Sequence, residues 1–174
     1  MHRIGFDAKR LFNNFTGLGN YSRTLVSNLV YYYPDFASFL YTPKIQKNTD
    51  TVVFLNSPAY SVHTPGRLER PVWRSYRVRQ QLNRHKINLF HGLSNEIPYG
   101  LDHLPIKKLV SIHDLIYKHF PHQYPLIDRQ IYDLKTKYAC QHSDQIIAIS
   151  ESTKVDLIQY YDVPEEKISV IYQT

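Results

Sequence analysis

The segment RIGFDAKRLF, Arg3–Phe12, followed by FTGLGNYSRTL, Phe15–Leu25, decides how the rest of the chain is read. An apolar run of strand character breaks near two glycines, and helical spacing then runs through GNYSRTLVSNLVYYY until Pro34. A strand that turns through glycines into a helix is the opening of a parallel β-α-β unit. Gly17 and Gly19 are expected in the connecting loop, with the helix starting near Asn20. The first amides of that helix and its positive dipole end suit a phosphate. A tight strand-to-helix turn would require the same glycines with no ligand present.

The alternation continues outward from this unit. SFLYTP and TVVFLN read as short strands, residues 67–86 as a basic helix, and INLFHG and KKLVSIHDL as strands. DRQIYDLKTKYACQHS then reads as a helix, QIIAIS as a buried strand, ESTKVDLIQYY as a helix and KISVIY as a last strand. LIYKHFPHQYPL, from Leu115 to Leu126, has two prolines and no period, so it is expected to be an ordered loop. Strands joined by helical crossovers predict an α/β fold in one domain: a doubly wound, mostly parallel sheet with helices on both faces. In such sheets ligands bind beyond the carboxyl ends of the strands. Polar residues gather at that edge: Gly17 and Gly19 after the first strand, His91 and Asn95 after INLF, His113 and Asp114 after LVSI, Ser150 and Glu151 after QIIAI.

An excess of 21 Lys and Arg over 15 Asp and Glu gives a net charge of +6 and points to an anionic partner. Much of it lies in RLERPVWRSYRVRQQLNRHK, residues 67–86. On a regular helix Arg70, Arg74, Arg77 and Arg84 share one face, while Leu68, Val72, Tyr76, Val78 and Leu82 spread over the other. Such a helix is either a solvated surface element or one that meets phosphate, in a substrate or on an anionic membrane surface. The segment follows no nucleic-acid-binding motif, so nucleic acid is not an expected partner. The sequence has neither an apolar membrane span nor a signal peptide, so the chain is expected in the cytoplasm, peripheral at the inner membrane face if the basic helix meets lipid.

Cys140 is the single cysteine and is expected to be a core thiol. TGLGNY is an incomplete dinucleotide fingerprint, and no nucleophile elbow, P-loop or C-x-x-C pattern occurs. His119 and His122 lack further spaced ligands, so no metal and no cofactor are expected. Adjacent residues of an extended strand point apart, so His113 and Asp114 are not expected to form a hydrogen-bonded dyad. Ser150 is expected to cap the helix after QIIAIS, with Thr153 and Asp156 as an alternative cap.

Taken together, IGFDAKRL, GLGNYSRTLVSNL, NLFHGLSNEIP, VSIHDLIYKHFPHQYP and SDQIIAISESTKVDLIQYYDVPEEKISVIY resemble, in order, the N-terminal domain of GT-B fold glycosyltransferases of the retaining family 4 group. The resemblance implies that residues 1–174 form the acceptor-side, Rossmann-like half of an enzyme whose nucleotide-binding domain, with its E-x(7)-E motif, is absent from this chain. The implied activity is hexosyl or mannosyl transfer from a nucleotide sugar to a glycan or lipid-linked acceptor, with the half alone inactive. The resemblance places Gly17, Gly19 and Asn20 near the donor, His113 near the reacting carbon, Asp114 in support of the loop or the acceptor, and His91 and Asn95 on the acceptor side. Arg74 and Arg77 of the basic helix would then suit a phosphorylated or lipid-linked acceptor. The competing reading is a stand-alone, non-enzymatic α/β module that binds an anionic ligand at the same strand edge.

Overall fold

The computed structural model describes residues 2–173. Among the described residues seven strands form one sheet in the order β3-β2-β1-β4-β5-β6-β7. They are β1 (Arg3–Asp7), β2 (Ala37–Tyr41), β3 (Tyr60–His63), β4 (Leu89–Gly92), β5 (Lys107–Ile112), β6 (Gln145–Ala148) and β7 (Ile168–Val170). Every pairing is parallel, as the expected doubly wound α/β fold requires. The chain steps outward from β1 to β3, then returns to the other side of β1 to begin β4. The sheet therefore reverses direction between β1 and β4, the place where an open α/β sheet leaves a crevice at its carboxyl edge.

Two apolar clusters cover the two faces. Leu40 and Tyr41 are neighbours in β2 yet belong to different clusters, as alternation along a strand dictates. One cluster gathers Phe6, Leu11, Phe12, Val26, Leu40 and Phe54. The other gathers Trp73, Phe90, Val110, Ile112, Ile146 and Leu157, together with Cys140, which is a core thiol as expected. Burial pushes the Cys140 thiol up to about 12, so it stays protonated and inert.

The helices are α1 (Lys9–Asn13), α2 (Gly17–Tyr32), α3 (Thr49–Asn56), α4 (Arg70–Val72), α5 (Val78–Arg84), α6 (Ile116–His119), α7 (Leu126–His142) and α8 (Glu151–Tyr161). Several expectations are corrected here. TVVFLN is not a strand: it lies in α3, which Asn48 and Thr51 open with a reciprocal capping box, and the outer strand is Tyr60–His63 instead. Residues 115–126 are not a plain loop, because they hold α6 and the 3₁₀ turn Pro121–Gln123. Gly17 and Gly19 lie within the first turn of α2 rather than in a loop before it. The basic helix is irregular, with the π turn Trp73–Arg77 set between α4 and α5. That turn shifts the register, so Leu68, Val72 and Tyr76 are exposed while Trp73, Val78 and Leu82 are buried.

The helix ends explain why α7 and α8 stop and start where they do. Ser150 caps α8 by accepting the Thr153 amide at 3.1 Å, and the Thr153 hydroxyl donates to the His113 carbonyl at 3.0 Å. Thr153 and Asp156 are thus not the cap. At the end of α7 the Lys167 ammonium donates to the carbonyls of Cys140 and Gln141, at 2.6 and 3.2 Å, where the helix dipole favours a cation. No helix among the described residues is long and apolar enough to cross a membrane.

Candidate active-site cleft

The carboxyl ends of β1, β4 and β5 open into a cavity of about 310 Å³, a volume within the usual range for small-molecule sites. Lys9 and Arg10 enter it from the start of α1, Ser94, Asn95 and Glu96 from the turn after β4, and His113 and Asp114 from the end of β5. Tyr117, Tyr124, Tyr132, Lys135 and Thr136 form the wall contributed by α6, α7 and the chain between them. The sequence reading had not singled out Lys9, Arg10 or the α7 residues. The signal for the first two was present, since they come just past the end of the first strand, after Asp7 and Ala8, at the same strand edge as the other polar residues.

Asn95 organises this rim. Its backbone lies in the left-handed region at φ 56°, which asparagine tolerates better than most residues. Its side chain accepts the His113 amide at 2.9 Å and donates to the Asp114 carbonyl at 3.1 Å. Its own amide donates to Ser111 in β5. The turn after β4 is packed just as closely, because a Cβ on Gly92 would stand 2.2 Å from the Glu96 carbonyl oxygen.

His113 is buried and oriented from both sides. Its Nε2–H donates to the Leu93 carbonyl at 2.9 Å, which leaves Nδ1 to accept from the Gln173 amide at 2.9 Å. Burial lowers its pKa, and the nearby Arg10 guanidinium adds to this against the opposing effects of the Leu93 carbonyl and Asp114. The ring is therefore neutral at pH 7 and holds no nitrogen free for a proton. Asp114 is exposed and accepts the Ile116 amide at 3.2 Å, opening α6. The two side chains make no hydrogen bond to each other, as the strand geometry implied.

His91 lies below the rim. It pairs within the sheet, is 3% exposed, and its Nε2 stands 2.9 Å from Ser111 Oγ, which Tyr21 Oη reaches at 2.7 Å. Burial, with His113 adding to it, holds its pKa down to about 3. The expected contact between His91 and an acceptor is corrected by this burial: the residue braces the sheet beneath the cavity.

Arg74 is likewise committed to protein partners. Its Nε lies 3.0 Å from both carboxylate oxygens of Asp7, and its guanidinium also pairs with Glu96. Lys135 completes the network on Glu96 at 2.9 Å. This pair of carboxylates fastens the basic helix to the floor between β1 and β4. Arg77 lies on the exposed side, bonded to Glu69 at 2.6 Å, and does not line the cavity.

The glycines play different parts. Gly19 is buried against the end of α1: a Cβ there would fall 1.7 Å from the carbonyl oxygen of Asn14, the residue that closes that helix. Its amide donates to Asn14 Oδ1 at 3.0 Å, so the N-terminus of α2 is capped from upstream. The steric requirement anticipated as the ligand-free reading thus applies to Gly19. Gly17 meets no neighbour and, with Asn20, Tyr21 and Gln173, lines a second groove of about 490 Å³. Asn20 accepts from Arg23, which also donates to the carbonyls of Leu11 and Asn14. The α2 start divides the two concavities, with Leu18 on the cavity side and Gly17 on the groove side. His119 pairs with Asp156 at 2.9 Å, and no group of three or more His, Cys, Asp or Glu that could hold a metal occurs among the described residues.

No curated protein matches the chain. The fold is similar to that of a glycosyltransferase from Rickettsia africae ESF-5, with a TM-score of 0.58 and 11% identity over 99% of this chain. The chain spans 43% of the length of that protein. The family model described as Glycosyltransferase Family 4 matches residues 16–173, which takes in α2, the Asn95 turn, His113 and Asp114, and the chain belongs to that family.

Proposed function

We propose that this chain is the acceptor-side half of a nucleotide-sugar-dependent, retaining glycosyltransferase that moves a hexosyl or mannosyl unit to a glycan or lipid-linked acceptor. The observation that carries the proposal is the position of the Asn95–His113 rim at the sheet reversal, in a chain of Glycosyltransferase Family 4. Glycosyl transfer develops positive charge on the sugar and negative charge on the leaving diphosphate, so placed polar groups count for more than a strong base. His113, neutral and fixed at both nitrogens, positions the donor sugar and is unsuited to proton transfer. Asp114 brings a carboxylate to the rim where it stabilises positive charge or accepts from an acceptor hydroxyl. Gly17 and Asn20 face the donor from the neighbouring groove, and Arg74 acts through Asp7 and Glu96 as a positioning residue. A nucleotide-binding half supplies most of the donor contacts, and this half alone turns over nothing.

The test is transfer itself. The chain, alone and joined after residue 174 to the nucleotide-binding half of a family 4 enzyme, is incubated with a panel of nucleotide sugars, and nucleoside diphosphate release is followed. Release from the joined form alone is the expected result, with His113→Ala reducing kcat. Joined protein that is folded and releases nothing from any donor overturns the proposal.

A non-enzymatic anion-binding module remains the second reading, favoured by Lys9 and Arg10 in the cavity wall. It predicts ligand affinity with no transfer in any joined form. Exposed Leu68, Val72 and Tyr76 beside Arg67, Arg70 and Arg77 further suit an anionic membrane at the cytoplasmic face. Vesicle binding that grows with anionic lipid and falls with salt is the expected outcome there.

A further inference from the structure

We propose that the cavity takes a phosphorylated sugar as the acceptor, with Lys9 and Arg10 holding its phosphate and the tyrosine wall receiving its ring. The inference deepens the glycosyltransferase reading and rests on it for the word acceptor. The charge pattern of the cleft carries the inference. Asp7 and Glu96 are already engaged, Asp7 by Arg74 and Glu96 by Arg74 and Lys135. Asp114, the remaining carboxylate on the wall, is exposed to water and accepts the Ile116 amide. Among the described residues, neither Lys9 nor Arg10 has a carboxylate within ion-pair distance, and the buried Nε of Arg10 has no hydrogen-bond partner.

Two uncompensated cations side by side in a half-buried cleft are costly unless an anion joins them. Their effect is visible on Lys9, which burial lowers to about 8, with Arg74, Arg10 and Lys135 adding to the fall and Asp7 opposing it. A phosphate dianion matches the two free charges, and its oxygens exceed what a carboxylate could offer to an ammonium, a guanidinium fork and the Ser94 hydroxyl. The same cavity presents Tyr117, Tyr124 and Tyr132, whose ring centroids lie 6.2 to 6.5 Å from one another. Tyr132 is exposed and offers an aromatic surface of the kind on which a sugar ring packs.

The experiment titrates the 174-residue chain at low ionic strength with inorganic phosphate, hexose 1- and 6-phosphates, the parent hexoses, and a nucleoside diphosphate. Calorimetry gives affinity, and amide shifts in nuclear magnetic resonance spectra locate the site. A hexose phosphate is expected to bind at least about tenfold tighter than its hexose and than the nucleoside diphosphate, shifting Lys9, Arg10, Asn95 and Tyr132. Lys9→Met and Arg10→Gln, each checked for native melting, are expected to lose about tenfold or more, and the surface control Lys47→Gln nothing. Equal affinity for sugar and sugar phosphate, undiminished binding in folded Lys9→Met and Arg10→Gln, or shifts confined elsewhere overturn the inference. Tightest binding of the nucleoside diphosphate through Lys9 and Arg10 assigns the phosphate to the donor and overturns it too. Transfer by the joined protein that ignores acceptor phosphorylation removes this inference and leaves the transferase reading, whereas phosphate-dependent binding without transfer removes that reading and leaves the phosphate site.

Discussion

Asn95 clamps the chain on both sides of His113, accepting the His113 amide at 2.9 Å and donating to the Asp114 carbonyl at 3.1 Å. The clamp is held in a left-handed backbone, φ 56°, so two effects separate by substitution. Asn95→Gly relieves the backbone and loses the clamp, while Asn95→Ala loses the clamp and adds strain. Urea unfolding is expected to show about 1–2 kcal/mol lost for the glycine variant and about 1 kcal/mol more for alanine.

Arg74 and Arg77 are three residues apart and differ in what surrounds them. Arg74→Met leaves Asp7 and Glu96 in a half-buried floor with one cation, Lys135, on Glu96 alone. Its cost is expected near 3 kcal/mol, against about 0–1 kcal/mol for Arg77→Met on the exposed Glu69 pair. Equal costs in chemical denaturation would show that the Asp7 pairing does not fasten the helix.

Gly17 and Gly19 give opposite outcomes with the same substitution. Gly19→Ala drives a methyl into the Asn14 carbonyl and is expected to cost about 3 kcal/mol or more, whereas Gly17→Ala meets open space in a helix and should stabilise by about 0.5–1 kcal/mol. Melting temperatures of the two variants would move in opposite directions.

Acid should destabilise the fold through its histidines. Burial lowers the pKa of His91 to about 3 and of His63 to about 4, and also lowers those of His85 and His113. A depressed histidine binds its proton in the unfolded chain first, so stability is full above about pH 6.5 and falls as pH drops below it. At pH 5 His91 alone is worth about 2 kcal/mol, and His91→Gln should flatten the pH dependence of the melting temperature between pH 7 and 5.

The parallel sheet was legible because strands buried on both faces read as apolar runs, and the carboxyl-edge rule then located Asn95, His113 and Asp114. The failures have physical causes. TVVFLN is rich in β-branched residues, but the Asn48 and Thr51 cap outweighs that local preference. The basic segment was projected on a regular helix, and the π turn at Trp73–Arg77 moved Trp73 inward and Tyr76 outward. Arg74 read as a free cation because its partner Asp7 lies in β1, far away in sequence and adjacent only after β1 and β4 pair. By sequence His91 groups with the polar residues of the carboxyl edge, yet its place within the ladder buries it beside Ser111 as a hydrogen-bonded structural histidine.

Cys140 sits in α7, the helix whose Tyr132, Lys135 and Thr136 face the cavity. Its protonated, buried thiol is shielded from alkylating reagents while α7 stays docked. As the chain's single cysteine, it is a built-in gauge: the rate at which it becomes modified reports how often that cavity wall lifts from the sheet, without any introduced label.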